Sequence, residues 1–96
     1  MPTYITLVEY TGEGIANMKE SPERLQQARE IATSNGGELS QFFLTMGEYD
    51  AVAISTFPDD ESCAKTMLRV AQGGAVRTKT LSAFAEDEYR DICDAL

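Results

Sequence analysis

The sequence predicts an α+β sandwich in which strands and two long helices alternate as β-α-β-β-α-β, followed by a short C-terminal helix. Three observations predict it. Apolar and polar residues alternate over 3–10, 38–46, 49–57 and 75–84, in runs rich in β-branched and aromatic side chains. Helical spacing of apolar residues replaces that alternation between the first and second runs and between the third and fourth. Asn35-Gly36-Gly37 and Gly73-Gly74 then break each helical segment from the strand that follows it.

The first strand is TYITLVEY, residues 3–10. TGEG turns the chain into a first helical segment, IANMKE, and a second, SPERLQQAREIATSN, with Ser21 expected as N-cap and Pro22 at the first helical position. Leu25, Ala28, Ile31 and Ala32 share a face of that helix, and Met18 extends the stripe. ELSQFFLTM forms the second strand and YDAVAISTF the third. Gly47-Glu48 between them suits a two-residue type II′ turn, with Met46 opposite Tyr49, Leu44 opposite Ala51 and Phe42 opposite Ala53. Pro58-Asp59-Asp60-Glu61 opens the next helix, its acids placed for the positive end of the dipole. Ala64, Met67, Leu68 and Ala71 form its expected buried stripe. AVRTKTLSAF is the fourth strand, and residues 86–95 form a helix with Tyr89, Ile92 and Cys93 on one side. This order is the split βαβ of a ferredoxin-like fold, with an antiparallel sheet in the order 4-1-3-2 and both long helices on one face.

Composition narrows the function. The chain has 96 residues, 43% hydrophobic and 25% charged, which suits one domain over 1–96 with its own core. A formal net charge of −8 disfavours nucleic acid and anionic lipid as partners. MPTYITLVEY has neither a basic leader nor a continuous apolar block, so no membrane span is expected and a cytoplasmic location is. Histidine is absent, which removes Ser-His-Asp and Cys-His nucleophiles and histidine-ligated metals. Cys63 and Cys93 lie apart on helical patterns and are expected as buried, reduced small hydrophobes. No metal site and no cofactor is implied.

Strand phase predicts the assembly. Ile5, Leu7, Phe42, Leu44, Ala51, Ala53, Phe57, Leu81 and Ala83 make a strongly apolar set with small residues in the third strand, and are expected under the helices. Arg77 and Lys79 share that phase and are expected to snorkel outward or to be shifted by a bulge. The opposite set includes Tyr4, Thr6, Val8, Tyr10, Phe43, Asp50, Val52, Ile54, Thr78 and Thr80. It is too apolar for solvent and too hydroxylated for a dry core. Two such faces packed across a twofold axis would form a homodimer through the sheet face not covered by helices. A small molecule would sit between the sheets, contacted by Thr6, Val8, Phe43, Val52, Ile54, Thr78 and Thr80.

Among shorter motifs, TGEGIAN has Asn17 where a dinucleotide-binding turn needs a small residue, and it lies in an antiparallel context; it reads as the turn into a helix. PDDES reads as a helix cap, EDEYRD as a helix start with a solvated acidic face, and RTKT as a charged edge strand. GEYD places Asp50 at the start of the third strand. A carboxylate beside an apolar cavity can act as a general base, with Tyr49 assisting, and it can equally cap loop N–H groups.

PTYITLV, SPERL, LTMGEYDAV, FPDDE and the VRT-T-L-AF pattern together resemble the GYD domain family, small bacterial proteins named for a Gly-Tyr-Asp motif. Gly47, Tyr49 and Asp50 match that motif, with Glu48 interposed. The resemblance spans the chain and implies a dimeric α+β barrel built from ferredoxin-like domains. It supplies no function. Relatives by fold include cofactor-independent monooxygenases, lactone isomerases and effector-binding regulators, and the histidine many of them use has no counterpart here. Three readings stay open: a small-molecule-binding dimer, a cofactor-independent enzyme with Asp50 as base and Tyr49, Thr78 or Thr80 assisting, and a structural or regulatory interaction module.

Overall fold

A computed structural model describes residues 1–96. The elements are β1 (Thr3–Tyr10), α1 (Gly12–Ala16), a 3-10 turn at Met18–Glu20, α2 (Ser21–Ser34), β2 (Glu38–Leu44), β3 (Ala51–Thr56), α3 (Asp60–Ala71), β4 (Val76–Ala83) and α4 (Glu86–Asp94). The strands form one antiparallel sheet in the order β2-β3-β1-β4, with α2 and α3 packed together on one face. This is the α+β, ferredoxin-like arrangement that the alternation of element types implies.

Helix starts follow local hydrogen bonding. Thr11 Oγ1 accepts from Gly14 N at 3.1 Å to start α1 and donates to Gly74 O at 2.6 Å, which ties the helix start to the approach to β4. Gly14 is required by contact: a Cβ there would stand 2.1 Å from Ala75 O. Asp59 Oδ1 accepts from Ser62 N at 2.8 Å and caps α3, as the PDDES reading expects. Ser21 is not a cap. The 3-10 turn runs straight into α2, its carbonyls take the first N–H groups, and Ser21 becomes the first helical residue. At the other end of α2, Gly36 turns left-handed with φ +80° and Gly37 N donates to Ala32 O at 2.9 Å.

The β2–β3 hairpin keeps the expected register, with Phe42 opposite Ala53 and Leu44 opposite Ala51. Its tip is looser than a two-residue turn. The strands end at Leu44 and Ala51, Thr45 N donates to Asp50 O at 2.9 Å, and Thr45 Oγ1 donates to Tyr49 O at 2.6 Å around residues 46–49. Gly47 holds φ +115° within this tip.

The sheet faces differ from the sequence expectation in β1 and β4. Tyr4, Thr6 and Val8 are buried on the helix side with Ala51, Ala53, Ser55 and Phe57, while Ile5 and Leu7 lie on the open side. The register fixes this, because Ile5 pairs with Ile54 and Leu7 with Val52. Two physical reasons outweigh the greater apolarity of Ile5 and Leu7. Each buried hydroxyl of β1 finds a partner inside: Tyr4 Oη donates to Asp60 Oδ1 at 2.5 Å, and Thr6 Oγ1 lies 3.0 Å from Thr80 Oγ1. The opposite phase also carries Glu9, Arg77 and Lys79, which need water. Thr78 and Thr80 therefore belong to the helix side as well, and Arg77 and Lys79 reach the open face without a bulge.

Tyr4, Ala32, Phe57 and Cys63 form the buried cluster, with Leu39 and Met67 packed against it. Tyr4 and Phe57 meet edge to face at 5.9 Å between ring centroids. The buried stripe of α3 is rotated from the expected one. Cys63 and Thr66 are buried and Met67 and Val70 half-buried, whereas Ala64, Leu68 and Ala71 border an exposed groove beside β4. Every residue of α4 is exposed, so Cys93 is a free surface thiol and not a buried one.

Candidate functional site

The sheet offers two surfaces, and the residues expected to touch a ligand divide between them. Phe43, Val52 and Ile54 lie on the open face beside Ile5, Leu7 and Leu81. Phe43 and Leu81 are each about half exposed, at 52% and 51%. The polar margin carries both signs, with Glu9 paired in register with Arg77 and Leu7 with Lys79. Lys79 Nζ sits 5.5 Å from the centroid of the Tyr49 ring, a cation–π contact that draws the hairpin tip toward β4.

On the other side, Thr6, Val8 and Thr78 line a cavity of about 180 Å³ between the sheet and the helices. It forms because α2 leans on β2 and α3 on β4, which leaves the space over β1 and β3 between them. Leu25, Ile31 and Val70 supply apolar walls, and half-buried Arg24 and exposed Arg69 are the charged residues of the lining. Ser55 Oγ, on a residue only 1% exposed, has no hydrogen-bond partner. Thr80 borders the separate groove between α3 and β4, joined to the cavity floor by its contact with Thr6.

Asp50 and Tyr49 stay at the hairpin tip, away from the cavity lining. Asp50 Oδ2 accepts from Tyr10 N at 2.9 Å, and Asp50 N donates to Val8 O at 2.9 Å. The side chain thus satisfies the last N–H of β1, a job that accounts for an acceptor at this position.

Several titratable groups are perturbed by the cap of α3. The hydrogen bond to Asp60, together with burial and nearby negative charge, pushes the Tyr4 phenol up to about 12. Burial, then the Asp60 charge, pushes the Cys63 thiol up, so it remains an inert thiol. The N–H of Ser62 holds the Asp59 carboxyl below its ordinary range. No three Cys, Asp or Glu side chains converge as a metal site.

Sequence reasoning missed Ser55, Asp60 and Arg69. Ser55 shares the phase of Ala51 and Ala53, yet nothing in a strand pattern reveals that its hydroxyl lacks a partner. Asp60 was legible only as a helix-start acid, since its partner Tyr4 lies 56 residues away.

The fold and its open sheet face define a ferredoxin-like α+β domain. The chain matches the GYD domain over residues 4–93 and belongs to the GYD domain family. A Thermus thermophilus protein called glutamine synthetase and cystathionine beta-lyase binding protein is 32% identical over 84 residues, covering 86% of this chain and 88% of its own. Among solved structures, TTHA0845 from the same organism aligns at TM-score 0.56 with 24% identity, over 88% of this chain and 95% of that one. A feast or famine regulatory protein from M. tuberculosis, complexed with L-methionine, aligns at TM-score 0.67 with 13% identity over 88% of this chain. This chain spans about half, 51%, of that regulator, and at such identity the likeness is one of fold.

Proposed function

We propose that the protein is a homodimeric binding module: its open sheet face packs on the same face of a second copy, and its output is association with a partner protein and not turnover. The observation that carries this reading is the uncovered apolar centre formed by Ile5, Leu7, Phe43, Val52, Ile54 and Leu81. An apolar centre with a polar margin has the anatomy of an interface. A second copy suits it because the margin supplies both Glu9 and the Arg77 and Lys79 cations, so the patch can complement itself across a twofold axis. Protein binding as the output is supported by the relative named for binding two enzymes. A small molecule held between the sheets would meet Phe43, Val52 and Ile54 there without the threonine hydroxyls, so the interface is read as dry.

Light scattering on wild type, Val52→Lys and Leu68→Lys tests the pairing. An unpaired ammonium at the centre of the face loses its water on association, so Val52→Lys should give monomer. Leu68 is already exposed, at 69%, beside the other face, and its variant should keep the wild-type mass. Wild type at the mass of one chain down to micromolar concentration defeats the proposal.

A further inference from the structure

We infer that the cavity between the sheet and the helices is a binding site for a small carboxylic acid with an apolar body and one further hydrogen-bonding group, held with its carboxylate at the lining arginines. This inference does not depend on the dimer.

Size sets the first limit. An apolar cavity of roughly 150 Å³ takes up benzene. The cavity here is about 180 Å³ and only partly enclosed, so it suits a body of about seven to nine non-hydrogen atoms. Its walls exclude a strongly polar molecule: Leu25, Ile31, Phe42 and Val70 close it, and alanines at 28, 32 and 53 leave the space by being small.

Charge sets the second limit. Acidic residues outnumber basic ones sixteen to eight in this chain, yet the only charged side chains lining the cavity are Arg24 and Arg69. Arg24 is held in place, donating to Asn17 O at 3.0 Å and Gly14 O at 3.4 Å, with Glu20 3.8 Å away. Arg69, near the end of α3, forms no ion pair. A guanidinium with unused donors beside an apolar space selects a carboxylate over an alcohol or an amine. In a chain of net charge −8, it also supplies a local attraction that the molecule as a whole does not.

Ser55 sets the third limit. Thr6 and Thr66, the other buried hydroxyls of the lining, have partners in Thr80, Asn35 and the Ser62 carbonyl. Ser55 Oγ alone is buried with none. A buried hydroxyl without a partner is destabilising, and because this Oγ is sealed from water in the free protein, a ligand atom recovers that cost by bonding to it once the Ser55 side chain rotates toward the cavity.

The probes are 6-hydroxyhexanoate, hexanoate and 1,6-hexanediol, followed by titration of methyl resonances in the intact protein. The expected result is saturable shifts at Ile31, Met67 and Val70, with 6-hydroxyhexanoate bound most tightly. Arg69→Gln should weaken 6-hydroxyhexanoate by about tenfold, as expected for loss of a charge-assisted hydrogen bond, and leave the diol unchanged. Ser55→Ala should raise the melting temperature of the free protein and remove about fivefold of the preference for 6-hydroxyhexanoate over hexanoate. A merely structural serine would show no change in that preference. Ala53→Leu should fill the space and abolish the shifts. No saturable shift at tens of millimolar probe overturns the inference, as does equal binding of diol and acid or binding that survives Ala53→Leu in a folded protein.

Discussion

Tyr4 shows how one side chain sets the orientation of a strand. Its ring packs on Phe57 and its hydroxyl reaches the first turn of α3, so the even-numbered residues of β1 turn inward. The phenol is pushed up to about 12 in the folded state from an ordinary value of 10. Between those values the folded chain holds a proton that the unfolded chain has released. The contribution to stability is therefore complete below pH 10 and is lost as pH rises toward about 12. Urea midpoints measured from pH 9 to 12 should fall more steeply for wild type than for Tyr4→Phe, and parallel curves would contradict this reading. Gly14 carries a steric argument at the same scale. Its missing Cβ would lie 2.1 Å from Ala75 O, whereas Gly12 has nothing within 4 Å. Gly14→Ala should cost about 1–3 kcal/mol in chemical denaturation, with Gly12→Ala near neutral.

Among the elements, the hairpin tip is the one whose residues drew most attention in the sequence, and its hydrogen bonds hold the end of β1. Asp50 accepts from Tyr10 N, and Asn at this position keeps an oxygen for that bond. Asp50→Asn should therefore change the unfolding free energy little, while Asp50→Ala leaves the N–H unpaired at a cost of about 1–2 kcal/mol. Gly47 adopts φ +115°, so Gly47→Val should destabilise by about 1–3 kcal/mol through backbone strain. Element order, strand pairing and the cap of α3 were legible in the sequence because each rests on local signals: period-two alternation, glycine stops and Asp59 before a helical run. The phase of β1 and β4 was not, because hydrophobicity alone favoured burying Ile5, Leu7 and Leu81. The corrective signal was present, since Glu9, Arg77 and Lys79 share their phase and a charge on a covered face is costly. The partners of the inward hydroxyls, Asp60 and Thr80, were invisible because they come from distant segments. For the site, Thr6, Val8 and Thr78 were expected on the face away from the helices with Phe43, Val52 and Ile54, and they lie under the helices instead.

For the whole molecule, one layer of helices over a sheet leaves the other sheet face uncovered, and no helix is long and apolar enough to cross a membrane and cover it there. The two proposals therefore concern separate faces, pairing of two copies on the open side and binding of a small acid under the helices. The measurement that tests the pairing most directly is relaxation of methyl protons by a soluble gadolinium chelate. Ile5, Leu7, Val52, Ile54 and Leu81 point to the open face, Val8 is buried in the single chain at 7% exposure, and Leu68 is exposed beside β4. If two copies pair through this face, the methyl groups of Ile5, Leu7, Val52, Ile54 and Leu81 will be protected nearly as well as those of Val8, and Val52→Lys will remove that protection from its neighbours. Relaxation of these methyl groups in the wild type as strong as that of Leu68 would contradict the account.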